Sequence, residues 1–516
     1  MALRIKFLEP ESALLGEDSG GTIYDASSLL VCGWPVDDRI RELNEILERY
    51  GYRLTPTQLE DDGKPREDFE DALERSSERA RDLAGELWVT QVDVERQGVD
   101  AERPTAQEAD AAEVLALLRA DDAGDGVSLN HVLHPSASPG WGGHPYYGRH
   151  PYYGRHPYYG RHPYYGRHGD PVLEYATPGT GGRIPAYWHG PNPIDYAREL
   201  SRRPVVVIPD SGLGPHPWYD TDKDGVERDV TWHGMTIGGI NADADFTTCV
   251  DDLGMILPAA GHGTFIAGMV RQICPEATLM PIPVLDAEGA VPENLVYRSL
   301  LQVLLRHIDG QVFNKPEWIV DVVSMSIGYY EETPADRQHT VLMSLLMANF
   351  GRTGVLVAAA AGNDSTAEPL IPAGLAQAPG HFEADRLPLA SVGALNPNGS
   401  STALFSNQAP WVSCTRIGAC VISTMPTTFN GSAQGTISAP ASGPPKPLGQ
   451  PPRASVDPDD YRGGFAMWSG TSFAAPVLAG ELARVLASLD PGDISLDAAL
   501  ARGWKALGVE LQWGRS

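Results

Sequence analysis

A serine hydroxyl becomes a nucleophile only where a base can take its proton and donors can hold the oxyanion that follows. Four residues of this chain are of the types that chemistry needs. Ser472 stands in GTSFAAPVLAG, Gly470 to Gly480, between a Gly-Thr turn and an apolar run with helical spacing, Phe473, Ala474, Val477 and Leu478. At the first turn of a helix it would have unpaired N–H groups and the positive end of the helix dipole beside it. Pro476 costs little there, because the N–H it lacks would be largely unpaired anyway. His262 lies in AAGHGTFIAG, where Gly261 and Gly263 leave room around the imidazole. Asp210 ends the run VVVIPD and Asn363 ends VAAAAGN, where a side-chain amide can be aimed from a strand end into a cleft. Singly, each has a plainer explanation: Asp-Ser-Gly and strand-end Asn are usually turns, and a Gly-flanked histidine is usually structural. Together they place an acid, a base, an amide donor and a nucleophile at element boundaries, in the order Asp, His, Asn, Ser.

The elements that must position them alternate. RPVVVIPD is a β-branched run suited to a strand buried on both faces. HGTFIAGMVRQI is helical, ATLMPIPVL a strand, ENLVYRSLLQVLLRHI an amphipathic helix and WIVDVVSMSIG a strand. TPADRQHTVLMSLLMANF is a helix with Thr333 as N-cap and Pro334 at N1. TGVLVAAAAGN and LPLASVGAL are strands, and helices around Ser472 and from about Ser495 to Leu507 close the pattern. This order predicts an α/β fold, three-layer, with a mostly parallel sheet and helices on both faces. Sites in that architecture lie at the carboxyl ends of strands.

Upstream, the strand SSLLVCGW, the helix PVDDRIRELNEILERYG, the strand YRLTP, the strand LWVTQVDVE, the helix TAQEADAAEVLALLRA with a Thr105–Glu108 capping box, and the strand VSLNHVLHP follow one another. This is the β-α-β-β-α-β order of a small α+β ferredoxin-like domain, with Asp61 to Arg81 as a charged, solvated helical insertion. HPYYGR then occurs four times in tandem from His144 to Arg167. Gly and Pro at that density build no core. A spacer, a tyrosine-bearing docking tail and a cleavage region all fit the repeat. The boundaries read as 1–135 for the N-terminal domain, 136–192 for the linker and 193–516 for the α/β domain.

A net charge of -28 and a pI near 4.8 argue against nucleic acid or an anionic membrane as partner. The start, MALRIKFLEPES, has no continuous apolar core of a secretory signal, and no run reaches the ~18 apolar residues of a membrane span, so a cytoplasmic location is expected. Five cysteines make no disulfide framework. Cys32, Cys249 and Cys274 read as core residues. Cys414 and Cys420 are near enough to pair, with reduced thiols the expectation in a cytosolic chain. DTDKDG, Asp220 to Gly225, copies half of a calcium loop, but Thr231 stands where the bidentate Glu belongs. No metal or other cofactor is required by this reading, and calcium is unsupported.

The Asp210, His262, Asn363, Ser472 order, with GTSFAAP and GHGTFIAG as its strongest motifs and DSG and AAGN agreeing, resembles the subtilases, the subtilisin-like serine peptidases. The resemblance covers about Arg203 to Ala487. It implies a serine endopeptidase acting on polypeptide, with Ser472 as nucleophile, His262 as base, Asp210 orienting it and Asn363 as oxyanion donor. It further implies that substrate lies extended between Ser326-Ile327-Gly328 and Gly289-Ala290, with Gly362 beside Asn363. Asp364 would sit near the rim of the specificity pocket and Leu370 near its base, making it shallow. Pro209 before the acid, and Arg416-Ile417-Gly418 in place of Ala-Pro-Gly, depart from the family pattern. Many members carry a prodomain that inhibits by leaving its last strand in the cleft. VSLNHVLHP resembles such a tail, so residues 1–135 are either an intramolecular inhibitor or an accessory domain that never leaves. Two further readings stand beside a general endopeptidase: a narrow processing peptidase for one dedicated peptide or effector, and a catalytically dead scaffold.

Overall fold

The computed structural model describes residues 4–8, 22–57, 64–97, 109–135, 175, 181–219, 225–238, 250–252, 254–331, 341–378, 382–431, 438–439, 453–454, 456–489 and 492–514. The HPYYGR repeat, the acidic stretch 220–224, Cys249, and the expected caps at Thr105 and Thr333 lie outside these residues.

The N-terminal region runs β1 (Ile5–Leu8), β2 (Thr22–Cys32), α1 (Asp37–Leu47), β3 (Tyr52–Pro56), α2 (Lys64–Arg75), α3 (Glu78–Leu87), β4 (Val89–Arg96), α4 (Ala111–Ala120) and β5 (Val127–Pro135). Its sheet has the order β5-β2-β4-β3 with every neighbour antiparallel, and β1 pairs with β2. Ile40, Leu43 and Leu47 of α1 and Val114, Leu115 and Leu118 of α4 share one core with Leu29, Val31, Leu54 and Val92 of the sheet. The N-cap of α4 is Asp110, whose carboxylate accepts from the Ala112 N–H at 3.0 Å.

The charged insertion is not a solvated appendage. Phe69, Ala72, Ala80, Ala84 and Leu87 of α2 and α3 are buried in the same core as the helices of the C-terminal region. The charges occupy the remaining faces, so a residue count across the segment hides its apolar stripe.

Downstream come β6 (Ile184–Pro185), β7 (Val205–Asp210), the hairpin β8 (Thr231–Trp232) and β9 (Met235–Thr236), α5 (His262–Ile273), β10 (Thr278–Pro283), β11 (Val291–Pro292), α6 (Glu293–Val312), β12 (Val322–Met325), β13 (Ile327–Tyr330) and α7 (Val341–Arg352). They are followed by β14 (Leu356–Ala360), β15 (Leu370–Ile371), β16 (Ala390–Leu395), β17 (Cys414–Ile417), β18 (Val421–Thr424), the short pair β19 (Ser438–Ala439) and β20 (Arg453–Ala454), β21 (Phe465–Trp468), α8 (Thr471–Ser488) and α9 (Leu496–Leu511). The central sheet is parallel throughout, in the order β10-β7-β12-β14-β16-β17. Alternation along β14 divides its side chains between two cores. Leu356, Ala358 and Ala360 meet Phe265 and Val270 of α5 and Phe473 and Leu478 of α8, while Val357 and Ala359 meet Val296 and Leu300 of α6 and Leu346 and Phe350 of α7. The result is helices on both faces of one sheet.

Two boundaries differ from the sequence reading. The strand expected over Trp318–Gly328 is two strands that part at Ser326: β12 stays in the parallel sheet and β13 leaves it. The linker expected to reach 192 joins the C-terminal region earlier. Ile184–Pro185 pairs with β21, and the Ser469 hydroxyl donates to the Gly181 carbonyl at 2.6 Å. Arg183 donates to the carbonyls of Ile256, Leu257, Pro258 and Ala260 and lies 4.9 Å over the Trp468 ring. A Gly- and Pro-rich composition conceals such side-chain anchors. Cys32, Cys274, Cys414 and Cys420 are free thiols. Among the described residues no helix is long and apolar enough to cross a membrane.

Candidate active site

Asp210, His262, Asn363 and Ser472 arrive at one place from four elements. Asp210 is the last residue of β7, His262 the first of α5, Asn363 follows the end of β14, and Ser472 is the second residue of α8. The Asp210 carboxylate accepts from His262 Nδ1 at 2.7 Å and from the Ser211 N–H at 2.8 Å. The Ser211 hydroxyl accepts in turn from the Gly263 N–H at 2.8 Å, which knits the turn after β7 to the start of α5. A Cβ at position 263 would stand 2.3 Å from the Gly212 carbonyl, so that junction closes only around a glycine. The imidazole packs against Trp468 and Phe473, which also touch each other, and Asp210, His262 and Ser472 are fully buried. His262 Nε2 has no hydrogen-bond partner among the described residues.

Ser472 and Ser326 are tied by a reciprocal pair of bonds. The Ser472 hydroxyl donates to the Ser326 carbonyl at 3.0 Å, and the Ser326 hydroxyl donates to the Ser472 carbonyl at 2.9 Å. Pro476 explains the second bond. In α8 the N–H four residues on would normally serve the Ser472 carbonyl, and proline has none. The vacated acceptor is filled by Ser326, which fixes the start of β13 against the serine.

Thr471, which the sequence reading passed over, orients Asn363. Its N–H and its hydroxyl each lie 2.9 Å from Asn363 Oδ1, and its hydroxyl accepts from the Gly362 N–H at 3.1 Å. With the oxygen end held, the amide nitrogen is turned the other way. Adjacency to Ser472 was the one available signal for Thr471.

Of the two stretches expected to flank an extended chain, Ser326-Ile327-Gly328 pairs with one, β5, and Gly289-Ala290 does not. His134 pairs antiparallel with Gly328 and Pro135 with Ile327 on one side; Val132 pairs with Pro292 and Leu133 with Val291 on the other. The second edge is therefore two residues later than Gly289-Ala290. Both of those N–H groups turn inward to the Asp286 carboxylate, at 2.7 and 3.1 Å, and Gly289 lies against the Pro135 ring. At the base of the tail His131 stacks on Tyr329 and bonds Glu293 at 2.6 Å, and the Tyr329 hydroxyl donates to the same carboxylate at 2.8 Å. His134 is buried, and burial pushes its pKa down against the opposing pull of Asp364. Among the described residues no cluster of His, Cys, Asp and Glu is arranged to hold a metal.

A family model described as the subtilase family, Peptidase_S8, matches residues 209–498, more than half of the chain. The chain belongs to the subtilase family. Among solved structures, this subtilase is similar to a cold adapted subtilisin-like serine proteinase at 17% identity, covering 62% of this chain and 89% of that one with a TM-score of 0.36. It is also similar to a lanthipeptide protease at 22% identity, covering 60% of this chain and 80% of that one with a TM-score of 0.37. No curated protein matches it.

Proposed function

We propose that this subtilase is a serine endopeptidase whose nucleophile is Ser472 and whose cleft is occupied by its own N-terminal domain. The observation that carries the first part is the meeting of Ser472, His262, Asp210 and Asn363 at the carboxyl ends of β7 and β14. Attack begins when the Ser472 hydroxyl turns from the Ser326 carbonyl to His262 Nε2. His262 takes the proton and later gives it to the leaving amine, while Asp210 fixes the tautomer that leaves Nε2 basic. The Asn363 amide and the Ser472 N–H hold the oxyanion, a contribution of about 3 kcal/mol per donor to the barrier. An active-site fluorophosphonate should label the full chain, and Ser472→Ala should abolish both the label and peptide hydrolysis. A label that persists in Ser472→Ala would refute the assignment.

The second part rests on β5. An antiparallel sheet of order β5-β2-β4-β3 supports a ferredoxin-like prodomain, and its edge strand runs on into the cleft, where a substrate would have to pair. Residues 1–135 thus act as a competitive, intramolecular inhibitor. Intact mass of wild type and Ser472→Ala separates a domain that the enzyme cuts free from one that it keeps.

A further inference from the structure

A base that takes a proton and returns it needs its ring held in one place through both transfers. Asp210 holds His262 at Nδ1. The backbone that delivers the imidazole, and the indole against which it packs, are both held by a residue upstream of β7, Arg183. Its Nη1 donates to the carbonyls of Pro258 at 3.3 Å and Ala260 at 2.9 Å, and its Nη2 to those of Ile256 at 2.8 Å and Leu257 at 3.2 Å. Four carbonyl dipoles aimed at one point repel one another unless a cation sits there, and a planar guanidinium has the donors to serve them together. The chain passes from Ala260 to His262 through Gly261, whose φ of 82° is left-handed, and the His262 N–H donates back to the Ala259 carbonyl at 3.0 Å. The guanidinium carbon also lies 4.9 Å from the centre of the Trp468 ring, and that ring meets the His262 imidazole at 5.7 Å with the planes 82° apart. Arg183 is fixed in turn by its neighbours. Ile184 and Pro185 pair with Met467 and Ala466 of β21, and the Ser469 hydroxyl donates to the Gly181 carbonyl at 2.6 Å. One side chain therefore joins the turn that leads into α5 to the strand that leads into Ser472.

We infer that Arg183 is a positioning residue for proton transfer at His262, and that Gly181 to Pro185 belongs to the catalytic unit although it precedes Asp210, His262 and Ser472 in the chain. The inference rests on the peptidase reading above. The partners of Arg183 are the turn before α5 and Trp468, whereas an extended chain is held by β11 and β13. Loss of Arg183 should therefore slow the chemical step and leave strand pairing in place. That is the signature of a fall in kcat with KM unchanged. An arginine that merely tied down the linker would affect stability alone.

The test compares Arg183→Ala with its parent, the full chain carrying Leu133→Asp, which loosens the tail so that an occupied cleft does not limit entry. Three quantities are measured: the rate constant of fluorophosphonate labelling, kcat and KM on a fluorogenic peptide, and the urea midpoint. Per folded molecule, labelling and kcat should each fall by about tenfold to a hundredfold, the scale set by a displacement of about an ångström at a reacting group, with KM within about twofold. A folded Arg183→Ala protein that keeps the parental labelling rate and kcat overturns the inference, whatever its midpoint, and so does a loss confined to KM. A parent that takes the label but cuts no peptide is decided on the labelling rate. A parent that does neither refutes the peptidase reading and the inference with it. Should Arg183→Ala fail to fold, Arg183→Lys decides. It keeps the charge but cannot serve four carbonyls at once, so kcat should fall by about threefold or more at unchanged KM, and parental kcat in that variant overturns the inference.

Discussion

The N-terminal domain touches the peptidase region in two ways, and the two contacts obey different chemistry. At the cleft, Val132 to Pro135 is held by strand pairing with β11 and β13. Backbone pairing, with the buried Leu133 side chain beside it, makes that contact, so another extended chain can compete for it. At the shoulder, side chains decide. Trp34, Phe69 and Trp88 pack on one another, Phe69 stacked on Trp88 at 3.8 Å, and Phe69 reaches Trp232 of the β8–β9 hairpin at 6.0 Å. Beside them the buried Asp309 accepts from the Ser77 N–H at 2.8 Å and from Trp232 Nε1 and His233 Nε2 at 2.9 Å. Arg298 lies 4.8 Å over Trp88 while donating to the Val89 carbonyl, and Tyr297 donates to the Leu87 carbonyl. A substrate can displace the first contact and has nothing to offer the second. The shoulder should carry the affinity and the tail the inhibition.

Breaking the shoulder gives the largest expected effect. Trp232→Ala should cost about 3–5 kcal/mol of stability in denaturant unfolding, as for other buried tryptophans, and should loosen the N-terminal domain. A loss below about 1 kcal/mol would mean that the tail, not the shoulder, holds the two regions together. Loosening the tail alone is the sharper cut. Leu133→Asp places a charge in a fully buried position of the cleft. It should raise turnover of a short peptide by about tenfold with the domain still bound, because only the occupied fraction of the cleft changes. Unchanged turnover with a stable shoulder would remove the inhibitory role.

The smallest effect is on pH. Burial lowers the His134 pKa from its ordinary value of 6.5. Above that value the imidazole is neutral whether docked or free, and docking is unaffected. As pH falls below it, the free tail binds a proton that the docked tail resists, so docking weakens progressively. Amide exchange in Val132–His134 should therefore quicken on acidification relative to β2, and His134→Gln should flatten the difference. An identical profile in that variant would assign the effect to another group.

What the sequence made legible was local. A serine between a turn and an apolar helix, a histidine between glycines, and acid and amide at strand ends are each specified by a few adjacent residues. β5 was readable to its last residue because the run VSLNHVLHP ends at a proline. What stayed hidden depends on residues far apart in the chain. Thr471 matters through Asn363 and Asn407 through Tyr330, and no spacing encodes those meetings. The burial of α2 and α3 was masked for another reason: their charges dominate the composition while a single stripe does the packing.

The anchorage of Gly181 and Arg183 bears on the molecule's covalent history. On one side of residues 136–174 the chain is secured by the cleft and the shoulder; on the other, Tyr175 bonds Asn396 at 2.8 Å and Arg183 gathers four carbonyls. None of these attachments relies on the peptide bonds between. A nick there would yield two polypeptides on a denaturing gel and one particle in solution, so the integrity of the strand and the integrity of the shape are separate properties of this protein.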